Sequence, residues 1–198
     1  MRFRAGPLVT LSSVAFTDAK TSARSWAGVA IGTAAANRFV VVVLQDQSGT
    51  PATGVTIDGN AMTLLRAGTH SRIFGLAWPT GTTATIDAST ASSTTLNGIH
   101  VYALYGLVSL TPAVTVAGSN PSISITPNVA GGVIIAAACT NVGSITLTGI
   151  TQDTALNPSG NNHFRAGKSY PAVGGANVIG VTPNLGTEMC AAYWSPYQ

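Results

Sequence analysis

Apolar and polar residues alternate along most of this chain in short runs, broken by glycine, proline, asparagine and aspartate at intervals of roughly eight to twelve residues. That spacing predicts strands joined by turns. The 3.6-residue period of an amphipathic helix is almost absent, and Thr, Ser, Val, Ile and Gly dominate. The predicted strands are 8–16, 26–31, 38–45, 55–57, 62–66, 72–78, 84–87, 98–105, 114–116, 122–126, 132–139, 144–147, 163–166, 177–181 and 188–194. Turn residues lie between them, at 58–60, 79–83, 157–162 and 173–177. Asp58-Gly59 tolerates the positive φ of a tight hairpin, so 55–65 reads as two strands around that turn.

Two runs break the alternation. Phe39 to Leu44 is six apolar residues in succession, and Val133 to Cys139 is another unbroken run. A strand with one wet face alternates, so these predict strands buried on both faces. The two runs also open a repeat. Residues 38–49 align with 132–143 at an offset of 94, and 55–59 with 145–149 at an offset of 90. The offset of 90 then carries 71–77 onto 161–167, pairing Phe74 with Phe164, and 98–104 onto 188–194. The expected fold is all-β: an antiparallel, jelly-roll-like β-sandwich built from two similar halves. Residues 1–34 form an N-terminal strand or arm segment, 35–110 the first half and 111–198 the second, as one compact domain or two abutting sandwiches. The second face of Phe39–Leu44 is then covered by the other half of the chain or by a second subunit.

Composition narrows the setting. Charged residues are 8% of the 198, against roughly 25% in an ordinary globular protein, while hydrophobic residues are 45%. So little charge serves a lone soluble protein poorly and suits a packed assembly, where neighbours cover much of the surface. The net charge of +3 comes from scattered basic residues with no stripe, which argues against nucleic-acid binding. No apolar run approaches the roughly 18 residues that span a bilayer, and Thr10, Ser12 and Ser13 interrupt the mildly apolar N-terminal stretch. A chain made in a cytoplasm, with no membrane insertion, is expected.

Candidate chemistry is thin. The carboxylates are Glu188 and Asp18, Asp46, Asp58, Asp87 and Asp153, and no spacing brings two of them together as a glycosidase requires. His70, His100 and His163 lack metal-ligand spacing, and there is no CxxC, so neither metal nor cofactor is expected. His100, in an otherwise apolar strand, reads as a core histidine satisfied by a neighbouring hydroxyl, with Cys190 at its repeat position. No nucleophile elbow and no phosphate-binding glycine pattern occurs, so no enzyme activity is expected. Cys139 and Cys190 end the strands that bracket the second half. They are candidates for a cross-strand disulfide, with buried reduced thiols the favoured state in a cytoplasm. The aromatics Trp78, Tyr193, Trp194 and Tyr197 are the candidate ligand or subunit contacts, the last three in a charge-free C-terminus that must dock on its own sandwich or on a neighbour.

The blocks "ANRFVVVVLQD", "GVTIDGNAMTLL", "IFGLAWPTGTTATI" and "GIHVYALYGL", followed by "GGVIIAAACTNVGSITLTGITQD", resemble those of small β-proteins encoded in the structural modules of tailed bacteriophages and prophages, especially of proteobacterial hosts. The resemblance covers about residues 35–195, and its motifs are β-structural. Ile150 and Thr151 depart from it, standing where an aromatic is common. It implies a virion component: a non-enzymatic decoration protein on the outside of a head, neck or collar, or tail, with copies of itself and other virion proteins as partners. The alternative expectation is a carbohydrate- or receptor-binding module of a phage appendage, which takes a host-surface glycan through its aromatics.

Overall fold

The computed structural model describes residues 9–15, 23–46, 52–89, 97–119, 121–127, 129, 131–159, 162–171, 176–183 and 187–196. They form strands and no helix. In chain order these are β1 (Val9–Ala15), β2 (Ala23–Ala30), β3 (Phe39–Asp46), β4 (Gly54–Ile57), β5 (Asn60–Ala61), β6 (Thr63–Ala67), β7 (Ser71–Ala77), β8 (Thr83–Ser89) and β9 (Asn97–Leu104). They continue with β10 (Val114–Gly118), β11 (Ser122–Ile125), β12 (Val133–Thr140), β13 (Thr146–Thr148), β14 (Thr151–Ser159), β15 (Asn162–Ser169), β16 (Asn177–Thr182) and β17 (Glu188–Trp194).

The strands assemble into four antiparallel sheets with orders β1-β9-β3-β7-β6, β2-β8-β4-β5, β10-β17-β12-β15-β14 and β11-β16-β13. The first two draw only on residues before 105 and the last two only on residues after 113. Period-2 alternation decides what each strand face meets. Val40, Val42 and Leu44 of β3 pack with Phe74 and Val101 against Trp26, Val55 and Ile86 of the β2-β8-β4-β5 sheet. Phe39, Val41 and Val43, from the other face of β3, pack with Tyr102 against Val133, Ile135, Ala192 and Trp194. The opposite face of β12 (Ile134, Ala136, Ala138) packs with Tyr193 against Ile123, Leu147 and Ile179 of the β11-β16-β13 sheet. Two sandwiches therefore lie back to back, with the two five-stranded sheets innermost. All eight residues of β3 and of β12 are buried, because each strand is central in its sheet and each sheet is covered on both sides. The cover for the second face of Phe39–Leu44 is the rest of this chain.

The 58–59 turn forms as the sequence requires, with positive φ at Asp58 (44°) and Gly59 (77°). Residues set apart above as an N-terminal segment supply β1 and β2, which pair with β9 and β8 inside the first sandwich. The alignment of Phe74 with Phe164 is corrected by three residues. Phe74 lies opposite Val42, whereas Phe164 lies opposite Cys139, the position that Ser71 holds opposite Gln45 in the first sandwich. An odd shift reverses the face. Phe74 points into the first sandwich, and Phe164 points at Gly98 across the middle of the stack. Strand β14 was not predicted. It is an edge strand with two register shifts, and Asn157-Pro158 within it reads as a turn signal, although an edge strand accommodates proline.

Candidate functional site

The polar and ionisable side chains converge on the seam between the two sandwiches. Gln45, at the end of β3, is fully buried and donates from Nε2 to the Ala138 carbonyl (2.8 Å) and to Ser71 Oγ (3.2 Å). Its Oε1 faces His100 Nε2 at 2.8 Å, so His100 carries its proton on Nε2. His100 Nδ1 then accepts from the Thr154 hydroxyl at 2.6 Å. The expectation of a hydroxyl-satisfied core histidine holds, with an amide as second partner. Burial, reinforced by the Arg165 charge, lowers the His100 pKa to about 3 and keeps the ring neutral. Gln45 and His100 belong to the first sandwich, and Ala138 and Thr154 to the second, so both hydrogen bonds cross the seam. Tyr102 adds a bond from its hydroxyl to Asp153 (3.4 Å), which also pairs with Lys168 (2.6 Å).

At the rim of the seam, Glu188 at the head of β17 accepts the backbone N–H groups of Thr69 and His70 from the β6–β7 turn. Beside it Arg72 pairs with Asp46 at 3.2 Å, and His70 Nδ1 lies 3.7 Å from the same carboxylate. Burial raises the Glu188 pKa, and the two amides oppose that shift. A cleft of about 480 Å³ opens here, lined by Gly68, Thr69, Arg72, Ala117, Ser119 and Glu188. A carboxylate with both oxygens engaged by backbone amides is a clasp between two parts of a fold. Among the described residues, no three His, Cys, Asp or Glu side chains gather as a metal site.

The structure separates the aromatics proposed as contacts. Tyr193 is fully buried in the second sandwich, with its hydroxyl donating to the Val129 carbonyl. Trp194 is fully buried in the middle core, edge-to-face with Phe39 (6.2 Å, 62°), and its Nε1 donates to the Leu110 carbonyl at 3.1 Å. Adjacent residues on one strand point to opposite faces, so these two cannot share a surface groove. Of the two docking alternatives for Tyr193 and Trp194, own sandwich or neighbour, the structure shows the first: both are buried within their own chain. Trp78 is half-buried against the first core, and Tyr197 lies outside the described residues. Cys139 and Cys190 are buried free thiols, so the candidate disulfide is not made. Their strands do pair antiparallel, but Cys139 sits opposite Glu188 and Cys190 opposite Ala137. That diagonal relation places Cα atoms about 7–8 Å apart, beyond the usual disulfide span. Burial pushes the Cys139 pKa up to about 12 and that of Cys190 higher still.

One structural residue gave little warning in the sequence. Arg38 is buried, and its guanidinium donates to the carbonyls of Trp78 (2.6 Å), Gly32 (2.8 Å), Gly81 (2.8 Å) and Thr80. It ties the turn after β7 to the entry of β3. The available signal was a lone cation at the edge of a six-residue apolar run in a chain with little charge.

Comparison with protein-family models, with curated proteins and with solved structures finds no match to this chain. Among the described residues no helix is long and apolar enough to cross a membrane.

Proposed function

We propose that this chain is a non-enzymatic structural protein of a tailed-phage particle, made in the bacterial cytoplasm and placed on the outside of the head, neck or collar, or tail. Its partners are copies of itself and other virion proteins. The observation that carries the reading is the use made of its few polar groups: Gln45, His100, Arg38 and Glu188 each tie one strand or turn of the chain to another. The scarcity of charge and the resemblance of the strand blocks to phage structural-module proteins point the same way. The outer surface carries scattered apolar side chains, Leu64, Val108, Val142 and Val178 among them, suited to contacts with neighbours.

The proposal includes two similar, jelly-roll-like halves. Its support is strand order. Numbered within its own half, the second sandwich runs 1-8-3-6-5 in one sheet and 2-7-4 in the other. The first sandwich has the same order once the two-residue β5 is set aside. An eight-stranded jelly roll pairs its strands this way, with strand 5 here carried to the inner sheet.

Light scattering after size exclusion, together with co-sedimentation on purified particles, tests the assignment. A closed oligomer or saturable particle binding is expected, and a stable monomer that never binds particles overturns it. The glycan-binding alternative calls for an exposed aromatic groove, and the burial of Tyr193 and Trp194 removes two of the residues proposed to line one.

A further inference from the structure

We infer that the seam between the two sandwiches is an isologous, two-fold interface, so that the inner face of one unit fits the inner face of a second copy of the same unit. This rests on the reading of the chain as two similar halves and goes beyond it, since similar halves can pack in any orientation.

Register fixes which residues are mates. Val43 lies between His100 on β9 and Ile73 on β7. Ala137 lies between Cys190 on β17 and Ala166 on β15. Two residues further along, Gln45 lies between Gly98 and Ser71, and Cys139 between Glu188 and Phe164. In an isologous interface, a contact of residue i with residue j is matched by a contact between their mates.

Several relations across the seam obey this rule. Gly98 abuts Phe164 and Leu156, where an added Cβ would meet their side chains at 2.8 and 3.3 Å. Glu188, the mate of Gly98, abuts Gly68, and Gly68, which bonds to Ser71, is the mate of Leu156, which lies opposite Phe164. His100 bonds to Thr154 and feels Arg165, while its mate Cys190 feels Arg66 and Arg72. Thr154 and Arg66 hold the same register, opposite Ala166 and Ile73, and Arg165 and Arg72 likewise, opposite Ala138 and Leu44. Whole strands follow. β6 meets β17 and β10, and its counterpart β14 meets β9 and β1. The axis therefore runs along the facing central strands β3 and β12, and places Val41 over Ile135 and Val43 over Ala137.

The symmetry is one of position, and the side chains depart from it most plainly beside Glu188. Ser71 and Gly68 stand where the mated side has Phe164 and Leu156, which is why the seam beside Glu188 keeps its cleft while the seam beside Gly98 is filled.

The test exchanges mates in the full-length chain. Val43→Ala removes two methyl groups from one side of the axis, and Ala137→Val adds them on the other. Each single variant is expected to lower the thermal midpoint by roughly 4–8 °C, through a cavity or through overpacking. The double variant is expected to recover at least about half of the summed loss, because residues in contact couple while distant ones add. Additive losses overturn the two-fold contact. They leave the duplication of strand order standing, and particle binding is a separate readout. If a single variant does not fold, Val41→Ile with Ile135→Val makes the same exchange with one methyl group, and the same two outcomes decide.

Discussion

Gln45 of β3 donates a 2.8 Å hydrogen bond to the carbonyl of Ala138 in β12, joining the central strands of the two sandwiches. Most of the seam around it is apolar, so this bond and its extension through His100 fix one register between two faces that could otherwise slide. Replacing Gln45 by Leu leaves the Nε2–H of His100 unpaired, and a loss of about 1–3 kcal/mol is expected in urea unfolding. A change below about 0.5 kcal/mol contradicts the network.

His100 makes the fold acid-sensitive. Its folded pKa of about 3 lies below the ordinary value of 6.5, so the folded state binds fewer protons than the unfolded one. The contribution is fully present above pH 6.5 and is lost as pH falls toward the folded value, by on the order of 5 kcal/mol in total. His100→Gln is expected to flatten the stability profile between pH 7 and 4 relative to wild type, as measured by denaturant midpoints. Glu188 acts in the opposite direction: its pKa is raised, so below the neutral range its protonation favours the folded state.

Arg38 saturates four backbone carbonyls from a buried position, and no other residue type presents that fork. Arg38→Ala is expected to cost several kcal/mol, since each buried carbonyl left without a donor costs about 1–3 kcal/mol. Arg38→Lys is expected to recover only a minor part of it. Equal stability of the lysine variant and wild type contradicts the role given to the planar guanidinium.

Both thiols are buried, and their ionisation is suppressed. Ellman's reagent is expected to titrate neither in the native chain and both after denaturation. A fast native reaction contradicts the burial of Cys139 and Cys190.

Val42 and Val43 are neighbours with different covers. Val42 faces the outer sheet of its own sandwich, and Val43 faces the second sandwich. Val42→Lys places a charge where nothing can pair it, and loss of the folded state by circular dichroism is expected. A folded variant that merely fails to assemble shows instead that a subunit contact covers this face.

The fold was legible where burial imposes a pattern. The wholly apolar runs at Phe39–Leu44 and Val133–Cys139 marked the two central strands, and Asp58-Gly59 marked its hairpin because only a few residue types take positive φ. Edges were harder. β14 packs few apolar residues and bends at its register shifts, so neither period nor turn chemistry identifies it. Phe74 and Phe164 align by residue type, yet face opposite ways, because aromatic identity says nothing about register. The seam was least legible. Glu188 and Thr69 are 119 residues apart, and Gln45 and Ala138 are 93 apart, so only the stacking of the sandwiches brings them together. The aromatic C-terminus reads as a docking segment, and packing, not sequence, decides that Tyr193 and Trp194 dock inside.

The most direct test of the proposed virion assignment is cross-linking mass spectrometry on intact phage particles purified from a host culture that produces this chain. The account predicts cross-links from its lysines and N-terminus to further copies of itself and to head, neck or tail proteins. Absence of the chain from purified particles, with the protein recovered instead free in the lysate, contradicts it.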